Sequence, residues 1–158
     1  MERIAYSDAP AGFPQAVLQV QNYLDNCGLD KKLLSLLRFR VSQINSCAYC
    51  LDMHYKEAIQ ASEEPLRLVS VSAWRETPYY SAAEHAALAF AETLTHLPSE
   101  EHSDDIHKDL QKYFSKAEIA NLTLAIAQIN LWNRLVHSFG IVPGKYKVRQ
   151  MTANVSQN

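Results

Sequence analysis

Hydrophobic residues are spaced along this chain in a pattern that indicates helices. Apolar side chains recur every three or four residues, as on one face of a helix, and no segment keeps the period-two alternation typical of strands. Serine, proline and glycine residues that begin or end helices separate the periodic segments. We therefore predict an all-α protein of six to eight helices that form a single domain.

Capping residues give the helix boundaries. Two matches to the capping box, Ser81 with Glu84 and Ser115 with Glu118, mark helix starts. Four predicted helices cover residues 13–26, 31–43, 65–74 and 81–97, and Gly28 is the expected cap after the first. A helix with its N-cap at Asn45 or Ser46 should run to about Ser62, and another should run from Ser103 or Asp104 to Phe114. The last covers residues 115–139 and ends before Gly140.

The last and longest predicted helix is apolar on most sides, which is typical of a central helix or of one at a subunit interface. A narrow polar stripe interrupts it, formed by Asn130, Asn133, Arg134 and His137. These residues either cap or bridge neighbouring helices or line a substrate pocket, and we favour the first interpretation.

Composition limits the function classes. The 158 residues carry 15 basic and 17 acidic side chains, well mixed, for a net charge of −2, which favours neither nucleic acid nor an anionic membrane as a partner. No stretch approaches the ~20 apolar residues that span a bilayer, and the first residues do not form a secretion signal. We expect a cytoplasmic protein. With 4 glycines there is no dinucleotide fingerprint or P-loop, so we expect no bound cofactor.

The motif Cys47-Ala-Tyr-Cys50-Leu-Asp-Met-His54 carries the candidate chemistry. On a helix, positions i, i+3 and i+7 share one face, so both sulfurs and the imidazole should point the same way. Residues i and i+3 of a helix also lie within the Cα separation that a disulfide tolerates. The start of a helix and a nearby histidine both lower the pKa of a thiol. The motif therefore predicts a reversible dithiol pair.

The two sulfurs should have different roles. His54 is one turn after Cys50 and can accept its proton, which favours Cys50 as the sulfur that attacks a peroxide and Cys47 as the resolving thiol. The helix dipole alone favours Cys47. An external dithiol would then reduce the disulfide.

Two simpler interpretations compete with redox chemistry. Both cysteines could be small buried hydrophobic residues, or they could bind a structural zinc ion with His54 and a fourth ligand. The other histidines show no second ligand pair of the zinc type, so we expect no metal. Cys27 has no partner in the sequence, and we interpret it as a core residue.

Residues 40–58, which contain this motif, resemble the core of the alkylhydroperoxidase AhpD-like proteins of the carboxymuconolactone decarboxylase superfamily. The resemblance covers roughly residues 15–140 and extends to residues 66–68, 73–76, 81–95 and 129–134. It implies one AhpD-like helical domain, with residues 143–158 as a tail, that assembles into homo-dimers, trimers or hexamers. It also implies peroxidase or disulfide-reductase activity at Cys47, Cys50 and His54. The reductant would be an external dithiol or a thioredoxin-like or lipoyl reductant.

The chain departs from the family pattern at two positions. Ser35 stands where the pattern has the glutamate of a proton relay, and Tyr49 stands where the best-studied form has a histidine. Glu84 is our candidate for the missing carboxylate, although a capping-box role is the stronger interpretation of that residue.

Three functions remain open from the sequence. The first is an antioxidant thiol peroxidase. The second is a redox sensor or scaffold whose disulfide changes assembly. The third is a cofactor-free decarboxylase or lyase that uses His54 or His137 as its base.

Overall fold

The computed structural model describes residues 2–97 and 104–148, and in these ranges every regular element is helical, as the sequence predicted. The seven α-helices are α1 (Phe13–Leu24), α2 (Lys31–Ile44), α3 (Ala48–Gln60), α4 (Pro65–Ser70), α5 (Ala82–His96), α6 (Asp104–Leu110) and α7 (Lys116–Phe139). Two 3₁₀ helices, Tyr6–Asp8 and Val71–Glu76, complete the set.

Helix α2 lies at the centre of the fold and packs against α3, α5 and α7. Its leucines and valine are buried on several sides, and Leu36, Leu37 and Val41 are almost fully excluded from solvent. Helix α7 packs against α1, α2, α3 and α5, so a central position accounts for most of its apolar surface. Burial of these side chains is the main source of stability, because each contributes roughly 1.5–3 kcal/mol when it leaves water.

Both predicted capping boxes are present. Ser81 accepts a hydrogen bond from the backbone N–H of Glu84, and the Glu84 carboxylate accepts one from the N–H of Ser81. Ser115 and Glu118 repeat the arrangement at the start of α7. Gly140 ends α7 in the left-handed conformation, with φ 71°, where glycine has no steric cost.

Several predicted boundaries differ from the structure. Helix α1 ends at Leu24, so Gly28 lies beyond its cap although it has a positive φ. The segment that begins at Pro65 changes to a 3₁₀ helix at Val71. Helix α6 ends at Leu110, because the N–H groups of Lys112 and Tyr113 turn back to carbonyls three residues earlier. Ser103, our alternative first residue for α6, lies outside the described residues.

A partly buried ion cluster joins α2, α5 and the second 3₁₀ helix. The Glu92 carboxylate accepts hydrogen bonds from Arg40 at 2.8 Å, from the Trp74 indole at 2.9 Å and from Arg75 at 2.7 Å. Burial raises the pKa of Glu92, but these three donors outweigh it and hold that pKa below its ordinary value. The cluster thereby joins Trp74 and Arg75 to helices α2 and α5.

Both terminal segments lie near the start of α3. The backbone N–H groups of Arg3 and Ile4 donate to the carbonyl of Phe139 at the end of α7. Residues 143–148, the described part of the predicted tail, follow α7 and make contact with α3 of the same chain through Gly144 and Tyr146. Residues 149–158 of that tail lie outside the described residues.

Among the helices of residues 2–97 and 104–148, none combines the length and the apolar character needed to cross a membrane.

Candidate redox-active site

The turn that positions the first cysteine is the end of α2. Ser46 has φ 53°, and the N–H groups of Ser46 and Cys47 donate to the carbonyls of Gln43 and Ser42 at 3.0 Å each. This hydrogen-bond pair is a Schellman motif with serine in the place that glycine usually takes. Cys47 therefore closes α2 and is also the N-cap of α3. Our prediction of Asn45 or Ser46 as the N-cap was wrong, because the left-handed turn delays the helix start.

Cys47 and Cys50 form a disulfide, with Cα atoms 5.3 Å apart. Both residues are only 1% exposed, and they pack together with Val136 of α7. The pair therefore spans the first turn of α3, and any reagent that reaches the sulfurs must enter through a cavity.

The two cysteines line different cavities. Cys50 lines a cavity of about 730 Å³ together with His54 and Glu57, and its walls are largely apolar: Tyr6, Pro14, Leu18, Met53, Trp132 and Val136. Cys47 lines a depression of about 300 Å³ between the first turn of α3 and the end of α7. Tyr49 lies between the cysteines and lines both.

His54 is buried and held by a carboxylate on its own helix. Its Nδ1 lies 3.0 Å from Oε2 of Glu57. Because an ionised carboxylate only accepts hydrogen bonds, Nδ1 carries the proton of the neutral ring, and Nε2 carries the lone pair. Nε2 is buried and receives no hydrogen bond from the described residues. The ring is therefore held in one tautomer with an unpaired Nε2, and His54 lines the same cavity as Cys50.

Glu57 is itself fixed by a second donor. The hydroxyl of Tyr146 donates to its Oε1 at 2.6 Å. Burial raises the pKa of Glu57, but hydrogen bonds from His54 and Tyr146, together with the charges of His54 and Arg38, outweigh it and lower that pKa below its ordinary value. The carboxylate therefore stays charged at neutral pH and can stabilise a protonated His54.

The polar stripe of α7 holds the turn before Cys47. The side-chain amide of Asn45 donates to Oδ1 of Asn130 at 2.9 Å and of Asn133 at 2.8 Å, and Asn133 donates to the hydroxyl of Ser42. Nε2 of His137 lies 3.1 Å from the Asn45 carbonyl. These contacts confirm the bridging interpretation for Asn130, Asn133 and His137, whereas Arg134 donates to Asn130 on its own helix. Because a carbonyl only accepts hydrogen bonds, Nε2 of His137 is the donor and Nδ1 of the neutral ring carries the lone pair.

Comparison with known proteins identifies the family. The model of the carboxymuconolactone decarboxylase family matches residues 11–93, which is more than half of the chain. This chain belongs to the carboxymuconolactone decarboxylase family. The uncharacterized protein YdfG of Bacillus subtilis is 32% identical over 140 residues, which are 88% of this chain and 95% of YdfG.

Solved structures place this family member among the AhpD-like proteins. A protein of unknown function from Agrobacterium tumefaciens, suggested as an antioxidant defence protein AhpD, is 34% identical, with a TM-score of 0.86 over 91% of this chain and 99% of that one. The debrominase Bmp8 is 20% identical, with a TM-score of 0.72 over 83% of this chain and 70% of its own, and that likeness shows the fold alone.

Glu84, our sequence candidate for the relay carboxylate of this AhpD-like protein, has other partners. It forms the capping box of α5 and an ion pair with Arg67, and it does not line the cavity of Cys50. Burial raises its pKa, but hydrogen bonds from Arg67 and Ser81 hold that pKa below its ordinary value. The carboxylate in contact with His54 is Glu57, which replaces Glu84 in our account.

The sequence held a signal for Glu57. It follows His54 by three residues, and residues at i and i+3 are neighbours on a helix. Tyr146 gave no such signal, because it is 89 residues from Glu57 along the chain. Within the two described ranges, no group of three or more His, Cys, Asp or Glu side chains is arranged to hold a metal ion.

Proposed function

We propose that this AhpD-like protein is a thiol-dependent peroxidase of antioxidant defence, with Cys50 as the attacking sulfur, Cys47 as the resolving sulfur and His54 as the proton acceptor. The observation that carries the proposal is that Cys50 and His54 line one cavity, while Glu57 orients the histidine with a free Nε2. Cysteine is activated in this way by an adjacent base.

The catalytic cycle begins with the reduced protein. His54 takes the proton of Cys50, and the thiolate attacks the outer oxygen of a hydroperoxide. The O–O bond breaks, a sulfenic acid forms on Cys50, and the alcohol leaves with the proton from His54. Sulfur is oxidised by two electrons, and the peroxide is reduced by two.

Cys47 then resolves the sulfenic acid. Its thiol attacks the Cys50 sulfur, the S–O bond breaks, and water leaves as the disulfide forms. The 5.3 Å between the two Cα atoms suits this closure without a large movement of the backbone. The position of Cys47 at the N-cap of α3 supports its thiolate, because the unpaired N–H groups and the helix dipole favour negative charge there.

An external dithiol completes the cycle. One of its thiols attacks the disulfide, its second thiol releases the mixed disulfide, and two electrons return to the cysteine pair. The depression beside Cys47 gives this reductant an approach separate from that of the peroxide. A thioredoxin-like protein or a lipoyl group supplies the required chemistry.

Rapid mixing of the reduced protein with hydrogen peroxide and with cumene hydroperoxide tests the proposal. We expect single-phase consumption of one peroxide per chain, faster for the organic peroxide because the cavity is largely apolar, and a Cys47–Cys50 disulfide by mass spectrometry. Oxidation no faster than that of a free cysteine would contradict peroxidase function.

The burial of both sulfurs favours a second candidate, a redox sensor. The disulfide packs against Val136 and Ile141, next to the segment that follows α7. A change in redox state would then alter that packing and the assembly of the protein. Light scattering of the reduced and oxidised forms distinguishes the candidates: a change in subunit number with negligible peroxide turnover supports sensing, and unchanged assembly contradicts it.

A further inference from the structure

We propose that Tyr146 is a positioning residue for the reactive pair, and that it acts through Glu57 on His54 and thereby on Cys50. The inference rests on the proposed role of His54 as the proton acceptor of Cys50. It gives the segment after α7 a role in the reactivity of the cysteine pair on α3.

The contacts of this segment place Tyr146 firmly on α3. The N–H of Gly144 donates to Oδ2 of Asp52 at 3.1 Å, and Nζ of Lys56 donates to the carbonyl of Tyr146 at 3.1 Å. Asp52 and Lys56 are also joined by an ion pair of 2.8 Å on the helix surface. Backbone groups of the segment are thus fixed at Gly144 and at Tyr146 itself, and the phenol is directed to Glu57.

The geometry makes a continuous chain of hydrogen bonds. The hydroxyl of Tyr146 donates to Oε1 of Glu57, and Oε2 of the same carboxylate receives Nδ1–H of His54. Both carboxylate oxygens are therefore occupied, which prevents rotation of the Glu57 side chain away from the ring. A positioned third group that orients the base is the general arrangement of activated nucleophiles, and here the orienting carboxylate is oriented in turn. Tyr146 also lines the cavity of Cys50.

Charged and titratable groups from several elements line the same cavity as Glu57. They are His54 and Tyr49 on α3, Arg38 on α2, Asp25 just after α1, Tyr6 in the N-terminal 3₁₀ helix, and Tyr146 itself. Among them, His54 and Tyr146 donate hydrogen bonds to the carboxylate, and Arg38 adds a favourable charge. Removal of the Tyr146 hydroxyl takes one of two donors away, so Glu57 should accept a proton at higher pH.

The Tyr146→Phe variant tests the assignment through the reactivity of Cys50. The reduced protein is treated with iodoacetamide between pH 5 and 9 (roughly the range over which a tuned thiol titrates), and mass spectrometry follows alkylation of Cys50. We expect the alkylation rate at neutral pH to fall about three- to tenfold, which corresponds to the free energy of one hydrogen bond. As the pH is lowered, the alkylation rate should begin to fall at a higher pH in the variant than in the wild-type protein.

A Glu57→Gln background distinguishes positioning from general stabilisation. In the Glu57→Gln protein, Tyr146→Phe should cause no further fall in the alkylation rate of Cys50, because the carboxylate through which Tyr146 acts has been replaced. Tyr113→Phe is the matched control: it removes the hydroxyl of an exposed tyrosine that lines a different groove, and it should leave alkylation unchanged. An unchanged pH profile in Tyr146→Phe, or the same loss in both backgrounds, would overturn the assignment.

The readout does not depend on peroxidase activity. If the wild-type protein fails to consume peroxide, the proposed function fails, and alkylation still decides whether Tyr146 acts on Cys50.

Discussion

Cys47 and Cys50 are joined to each other, yet their surroundings differ in kind. Cys47 follows a turn held by uncharged amides, and it lines a depression of about 300 Å³. Cys50 lines a cavity of about 730 Å³ together with an ionisable histidine and its carboxylate. In the proposed cycle, contacts on the Cys47 side fix the geometry of the pair, and groups on the Cys50 side move a proton. We therefore propose that the helix dipole and the base serve different sulfurs.

The largest expected effect is that of removing the sulfur on the proton-transfer side. Cys50→Ser should abolish peroxide consumption, because the remaining thiol lines the smaller depression and lacks the base. Cys47→Ser should still react once and stop at a sulfenic acid on Cys50, which dimedone traps. Cys27→Ser serves as the control, since the partly buried Cys27 is not bonded to either cysteine. Full turnover by Cys50→Ser would remove the distinction between the two sides.

The second largest effect is expected from removal of the proposed base, His54. His54→Gln keeps a polar side chain of similar reach but cannot accept a proton, so the rate constant with peroxide at neutral pH should fall about 100-fold or more. The variant should also lose the pH dependence that a titrating base imposes. A fall smaller than threefold, measured by stopped flow, would assign proton acceptance to another group.

Glu57→Gln should have a smaller effect on the same side, about tenfold, because the amide still accepts a hydrogen bond but no longer stabilises a protonated ring. The lowered pKa of Glu57 sets how its effect on His54 depends on pH. The charged carboxylate stabilises the protonated ring fully above the ordinary carboxyl pKa, and this stabilisation is lost as pH falls through the lowered pKa. The Gln variant should therefore show a weaker acid-side decline. Glu84→Gln is the matched control and should lower stability by about 1 kcal/mol with unchanged peroxide kinetics, because it weakens a cap.

On the Cys47 side, substitutions should affect stability before reactivity. Asn45→Ala leaves Oδ1 of the buried Asn133 and of the partly buried Asn130 without this donor, so the free energy of unfolding should fall by about 1–3 kcal/mol. Urea denaturation measures that loss, and alkylation of Cys50 in the folded protein should change less than twofold. A tenfold change in alkylation with little loss of stability would reverse the roles of the two sides.

Ser46→Gly is expected to have the smallest effect. A serine at φ 53° carries a conformational cost that glycine avoids, so the substitution should stabilise the protein by about 0.5–1 kcal/mol. Thermal denaturation of the reduced protein measures the change. A destabilised variant would indicate that the serine side chain contributes contacts that outweigh the strain.

The local part of this organisation was predictable from the sequence. Periodicity gave the helices, the capping boxes gave the starts of α5 and α7, and the Cys-x-x-Cys spacing gave a pair that forms a disulfide. The start of α3 was not predictable, because the pattern of polar residues does not reveal that Ser46 adopts a left-handed conformation. The Tyr146 contact depends on how the segment after α7 crosses α3, which only the packed structure defines.

Competition between the two sulfurs tests the central claim most directly. The reduced wild-type protein is treated with less than one equivalent of iodoacetamide at neutral pH, and fragmentation of the peptide that spans both cysteines locates the label. We expect the label on Cys50, which shares its cavity with His54. Label predominantly on Cys47 would contradict it.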